Sequence, residues 1–175
     1  DVTFPNMQFE FLPLTRQVRN GRLVPVPGFQ LWMDLSRPES RGTVTLRSAD
    51  PAAHPAIVFN HLGARQDVQD MIDGVRLART LVHQQAWDRY RGTELAPGPD
   101  VVTDADVTAF LRQKIGTSYH PSGTCRMGVD HDAVVDSEGR VAAVDRLRVV
   151  DASIMPKVIT GNLNAPVMML AEKLA

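Results

Sequence analysis

Cysteine is nearly absent from this chain: Cys125 is the only one in 175 residues. That excludes an intrachain disulfide framework and a cysteine-rich zinc site, and it accords with a reducing compartment. No apolar run approaches the ~20 residues of a membrane span, and no basic stretch leads into an apolar one near the start, so no inserting or targeting segment is read here. Charge of one sign is also missing. Nineteen basic residues face twenty acidic ones, interspersed, for a net charge of −1, which leaves no field to attract nucleic acid or an anionic membrane. No Gly-x-Gly-x-x-Gly follows a strand-like run, so the dinucleotide-binding fingerprint is absent. What remains is ordinary for a globular protein: 43% hydrophobic and 22% charged residues, in a chain long enough for one domain with a sizeable core.

Periodicity places the elements. Phe9, Phe11 and Leu12 with Gln8 and Glu10 between them read as a short strand, and Asn20-Gly21 as a turn before the proline-rich Pro25-Val26-Pro27-Gly28. From Phe29 to Ser36 apolar and polar residues alternate, so Phe29, Leu31, Met33 and Leu35 share one face of a strand and Trp32 points to the other. Thr43–Leu46 and Ala56–Phe59 are two further strands, separated by turn residues and close enough to pair antiparallel. Apolar residues at three- and four-residue spacing predict an amphipathic helix from Ala64 to about Gln85, with Gly74 inside it. Thr103 with Asp104 and Asp106 predicts a capped second helix, ended by Gly116. Val134–Val141 reads as a hairpin about Asp136-Ser137-Glu138-Gly139, Leu147–Val150 as a buried strand, and Asn164 as the cap of a last helix with Pro166 in its first turn.

The chemistry concentrates in two segments. The first is Ser118-Tyr119-His120-Pro121-Ser122-Gly123-Thr124-Cys125-Arg126-Met127-Gly128, where a histidine is held between Tyr and Pro in a glycine-bounded loop. The second, about forty residues on, runs Leu147-Arg148-Val149-Val150-Asp151-Ala152-Ser153-Ile154-Met155-Pro156 and continues through Gly161-Asn162-Leu163-Asn164-Ala165-Pro166. Other residues invite plainer readings. Cys125 is a small buried hydrophobe, and Met168-Met169-Leu170 is helix core. His54, His61, His83 and His131 lack the spacing of a helical metal pair, so no metal is predicted. Trp32 and Tyr119 could stack on a quaternary ammonium group, but structural packing is the favoured reading.

Together the two segments resemble the C-terminal signature of the glucose-methanol-choline (GMC) family of flavin-dependent alcohol oxidoreductases, and most nearly its choline dehydrogenase branch. Arg37-Pro38-Glu39-Ser40-Arg41-Gly42, His54-Pro55-Ala56-Ile57 and Tyr90-Arg91-Gly92 extend the likeness over nearly the whole chain. The resemblance implies an α+β fold, a mostly antiparallel sheet flanked by helices. It makes residues 1–175 the C-terminal, largely substrate-binding domain of a longer flavoenzyme. A C-terminal strand and helix, about residues 140–175, would pack on a missing N-terminal FAD-binding domain. Asp1 in place of an initiator Met fits a piece of a longer protein, which alone should neither hold FAD tightly nor turn over.

The same resemblance assigns roles. His120 would be the base and Asn162 its partner, together handling a substrate hydroxyl while hydride passes to flavin N5; Asn164 and Ala165 would contact the flavin, and Asp151 and Ala152 its ribityl-phosphate portion. Imidazole cannot simply make a free alkoxide. An alcohol near pKa 16 facing an imidazole near 6.5 leaves roughly 9 units, about 12 kcal/mol, against ground-state transfer. Proton removal must therefore belong to a transition state stabilised by neighbouring donors. The expected substrate is a small alcohol, with choline the first candidate, and the expected setting cytoplasmic, with membrane association of the full-length enzyme as the alternative. A dimer of the chain would be one way to cover the apolar face left without the FAD domain. Two further readings stand beside these: a catalytically silent binding domain, and a serine hydrolase built from Ser118 or Ser122 with His120 and Asp151, although no Gly-x-Ser-x-Gly elbow is present.

Overall fold

A computed structural model describes residues 4–175, which form two compact units. The first comprises the residues up to Leu35 together with Ala64–Ile115; the second comprises Ser36–Gly63 and Gly116–Ala175.

In the first unit, strand β1 (Met7–Leu12) pairs antiparallel with a later strand, Gln30–Leu35, and a hairpin lies between them in sequence. That hairpin is β2 (Thr15–Arg19) and β3 (Arg22–Val26); the Gln30–Leu35 strand is β4. Asn20 and Gly21 both adopt left-handed backbone, φ 51° and 72°, as a two-residue hairpin turn requires. Pro25 sits inside β3 opposite Arg16, a position open to proline because a two-stranded ribbon leaves one edge of each strand unpaired. The β1–β4 register puts Met7, Phe9 and Phe11 opposite Leu35, Met33 and Leu31 on one face, as the alternation predicts.

Helix α1 (Arg65–Val82) packs on that ribbon through its buried stripe of Met71, Ile72 and Val75. A Cβ at Gly74 would lie 2.7 Å from Met7 Cε, so the missing side chain is what lets strand and helix approach. Past a 3-10 turn at Gln85–Trp87, Arg79 organises the loop that follows. It donates to Glu94 Oε1 at 3.1 Å and to the carbonyls of Gly98 and Val101 at 3.0 and 2.8 Å. Helix α2 (Asp104–Lys114) opens on the predicted cap: the Thr103 hydroxyl accepts from the Asp106 N–H while the Asp106 carboxylate accepts from the Thr103 N–H. Its Val107 and Leu111 are buried.

In the second unit, β5 (Thr43–Thr45) and β6 (Ala56–Val58) form another antiparallel ribbon. Gly42 is obligatory there, because a Cβ would fall inside contact distance of the Val58 carbonyl and 2.8 Å from that of Phe59. Among the described residues the antiparallel pairing of this α+β fold thus comes as three two-stranded ribbons. Beyond Gly116 the chain is mostly loop, tied by backbone bonds. The hairpin read at Val134–Val141 reduces to one bridge, Val135 to Val141, about a turn in which Gly139 takes φ 72°. Leu147–Val150 is not the expected buried strand. Arg146, left-handed at φ 61°, precedes it, it makes a single bridge from Arg148 to Arg140, and Leu147 is half-exposed.

Helix α3 (Asn164–Leu174) corrects two further expectations. Leu163, not Asn164, holds the cap position; it has helical backbone, φ −82° and ψ −13°, and no side chain caps the helix. A side-chain cap needs extended backbone, whereas Leu163 is committed to burying its side chain. Nor are Met168 and Met169 core, since both are more than half exposed. The helix turns Val167, Leu170 and Leu174 inward, and Arg148 Nη1 donates to the Leu174 carbonyl at 2.7 Å. No helix among the described residues is long and apolar enough to cross a membrane.

Candidate active site

The loop before His120 begins with a local turn in which Thr117 Oγ1 accepts the Tyr119 N–H at 3.0 Å. Tyr119 then takes φ 64°, a left-handed conformation that costs a bulky residue of order 1 kcal/mol, and leaves its ring largely exposed. Pro121 holds His120 toward extended backbone. From Gly123 onward the loop is pinned to the second segment: the N–H groups of Gly123, Cys125 and Met127 donate to the carbonyls of Ala152, Ser153 and Ile154 at 3.2, 2.9 and 2.8 Å. Ile154 and Met155 are buried beneath this ladder and anchor it. Cys125 contributes backbone and a half-buried thiol.

Asp151 starts the 3-10 turn Ala152–Ile154 by accepting the Ser153 N–H at 2.7 Å. The chain then returns through Gly161 to Asn162, whose Nδ2 lies 2.9 Å from His120 Nε2. An amide nitrogen can only donate, so Nε2 accepts and the imidazole is neutral with its proton on Nδ1. His120 is half-buried and Asn162 exposed. Two residues forty-two positions apart are thus brought into direct contact, and the acceptor lone pair a base would use is the one Asn162 engages.

The flavin candidates are placed nearby in sequence but are not joined to that pair by a hydrogen bond. Asn164 and Ala165 form the exposed first turn of α3, and no side chain caps their N–H groups. Asp151 is exposed and Ala152 half-buried. The hydrolase arrangement is not assembled: Asp151 is engaged by Ser153, His120 by Asn162, and Ser122 Oγ is buried without a partner. Sequence reading missed the Thr117–Tyr119 turn, for which a threonine two residues before the turn amide was the available signal. It also missed the Arg126–Asp130 pair, joined by two bonds of 2.9 and 2.5 Å that hold the far end of the histidine loop. Arg126 beside Asp130 holds that carboxyl down to about 2. Among the described residues no three His, Cys, Asp or Glu side chains gather as metal ligands.

A two-segment site of this kind, with a histidine and an amide converging from separate loops beside an uncapped helix start, is matched by a known family. The family model described as GMC oxidoreductase covers residues 38–171, and the chain belongs to that family. Among its relatives, the oxygen-dependent choline dehydrogenase of Paraburkholderia phytofirmans is 48% identical over all 175 residues, and that of Klebsiella pneumoniae 47%. These matches cover 100% of this chain but 31% and 32% of the relatives, so the chain spans about a third of their length. Solved structures agree in fold. Formate oxidase of Aspergillus oryzae, as an R554A variant, superposes with TM-score 0.86 at 25% identity, covering 99% of this chain and 31% of its own. Pyridoxine 4-oxidase from Mesorbium loti gives 0.78 at 35% identity, covering 83% and 28%.

Proposed function

We propose that these 175 residues are the C-terminal, largely substrate-binding part of a longer FAD-dependent enzyme that oxidises a primary alcohol to an aldehyde, with His120 as base and Asn162 as its partner. The observation that carries the reading is the 2.9 Å contact between Asn162 Nδ2 and His120 Nε2. It brings one acceptor and one donor together, the pair an alcohol oxygen needs. A hydroxyl between them would donate to Nε2 and accept from Nδ2, each at roughly 2.8 Å. The two nitrogens must then move apart to about 4.5 Å, so the substrate replaces the direct bond. Asn162 is the exposed member and is free to turn. Because an amide does not titrate, His120 alone accepts the proton, and its neutral form is the competent one.

Flavin adenine dinucleotide, when bound, supplies the hydride acceptor for the carbon. The chain's donor set fits it. The N–H groups of Asn164 and Ala165 at the uncapped start of α3 suit the electron-rich carbonyl end of the ring. Asp151 suits a ribityl hydroxyl rather than a phosphate, which like charge would repel, and Ala152 lines the same turn. About residues 140–175 would pack on the FAD-binding part, consistent with the exposed Met168, Met169 and Leu147. The relatives' name makes choline the first alcohol to try.

The test uses the full-length parent protein, mixed anaerobically with choline and a panel of primary alcohols while the flavin's visible absorbance is followed. Bleaching that the His120→Ala variant loses supports the reading. Bound flavin that no alcohol bleaches sinks it.

A further inference from the structure

The β1–β4 ribbon has two unlike faces. One is apolar and packs on α1; the other carries Gln8, Glu10 and Leu12 opposite Asp34, Trp32 and Gln30. On this second face Glu10 and Trp32 are direct cross-strand neighbours, which sets their Cβ atoms about 5 Å apart on the same side. Gln8 Nε2 donates to Glu10 Oε1 at 2.9 Å and orients the carboxylate. Trp32 remains 51% exposed. The chain's other tryptophan behaves differently: Trp87 stacks on Phe29 at 4.9 Å and touches Phe11 at 5.5 Å, an ordinary aromatic cluster. Packing, the expectation for Trp32, therefore accounts for Trp87 and not for Trp32.

An exposed indole beside a fixed carboxylate has a specific chemistry. The ring face attracts a cation, most effectively one that gives up little hydration, and the carboxylate adds charge complementarity. A quaternary ammonium group meets both conditions. Glu10 with one amide neighbour does not provide the six or more oxygens a calcium ion takes.

We propose that the Glu10–Trp32 face of the first unit is a binding site for a small alkylammonium ligand, with the indole receiving the N-methyl groups and Glu10 the charge. The site lies within the first unit and does not depend on the alcohol-oxidation reading, because its test needs neither flavin nor turnover.

Two tryptophans give two indole N–H resonances in the 175-residue chain, assigned with a Trp87→Phe variant. Choline and tetramethylammonium chloride should each move the Trp32 resonance saturably, with a midpoint on the order of 10 mM for one exposed aromatic and one carboxylate, and leave Trp87 in place. The neutral isostere 3,3-dimethylbutan-1-ol should not move it. Glu10→Gln should weaken binding about 3- to 10-fold at low salt, with the dispersion of the remaining amide resonances confirming the fold. A stationary Trp32 resonance, an equal response to the neutral alcohol, or an unchanged midpoint in Glu10→Gln would each overturn the proposal.

Discussion

Asn162 donates its side-chain N–H to Nε2 of His120 across 2.9 Å, and this bond occupies the imidazole lone pair that proton abstraction would require. In the full-length parent, His120→Ala should slow flavin reduction by alcohol about 10²- to 10⁴-fold, the usual contribution of a placed base. Asn162→Ala should act less severely, about 10- to 10²-fold, because it removes one donor and leaves the base. Stopped-flow reduction rates decide the order; an Asn162 effect larger than that of His120 would reverse the assignment.

Asp130 tests the frame of the histidine loop. Its carboxyl is held down to about 2, first by its hydrogen bonds to Arg126. A folded pKa below the ordinary 3.9 or so means that the pair's contribution is complete above that value and is lost as pH falls through about 2. Both groups are solvent-accessible, so the effect on global stability is small. Carboxyl carbon shifts followed by NMR should titrate near 2, and Arg126→Ala should return the midpoint toward the ordinary range.

Thr103 and Asp106 form a reciprocal cap at the start of α2. Thr103→Ala removes the hydroxyl acceptor and should cost about 1 kcal/mol, whereas Thr103→Ser should cost only a few tenths. Urea melts of the chain measure both.

Two glycines should respond oppositely to alanine. At Gly42 a Cβ meets two backbone carbonyls that cannot move without breaking β5–β6, so Gly42→Ala should destabilise by about 1–3 kcal/mol. At Gly74 the Cβ meets only the flexible end of Met7, while alanine gains about 1 kcal/mol of helix propensity. Gly74→Ala should therefore fall within about 1 kcal/mol of the parent chain in thermal melts.

The elements that periodicity located are those whose structure is local. The Phe29–Leu35 alternation, the α1 stripe and the Thr103 cap each depend on neighbours within a few positions, and each stands where the residues place it. The misread elements depend on distant partners. Leu147–Val150 has strand composition, but a strand is made by its neighbours, and here Arg140 supplies one bridge. Asn164 has cap chemistry, but Leu163 takes the cap position because its side chain goes into the core.

The site divides in the same way. Residue types and their order were enough to single out His120 and Asn162 and to point to the family, because reactive groups and turn residues are written directly in the chain. That Asn162 reaches Nε2, that the imidazole is neutral there, and that Trp32 stands open beside Glu10 while Trp87 is stacked were decided only by the tertiary structure. Contacts across forty-two residues or across a strand pair are set by the backbone ladder and by register, and neither is carried by any local stretch of sequence.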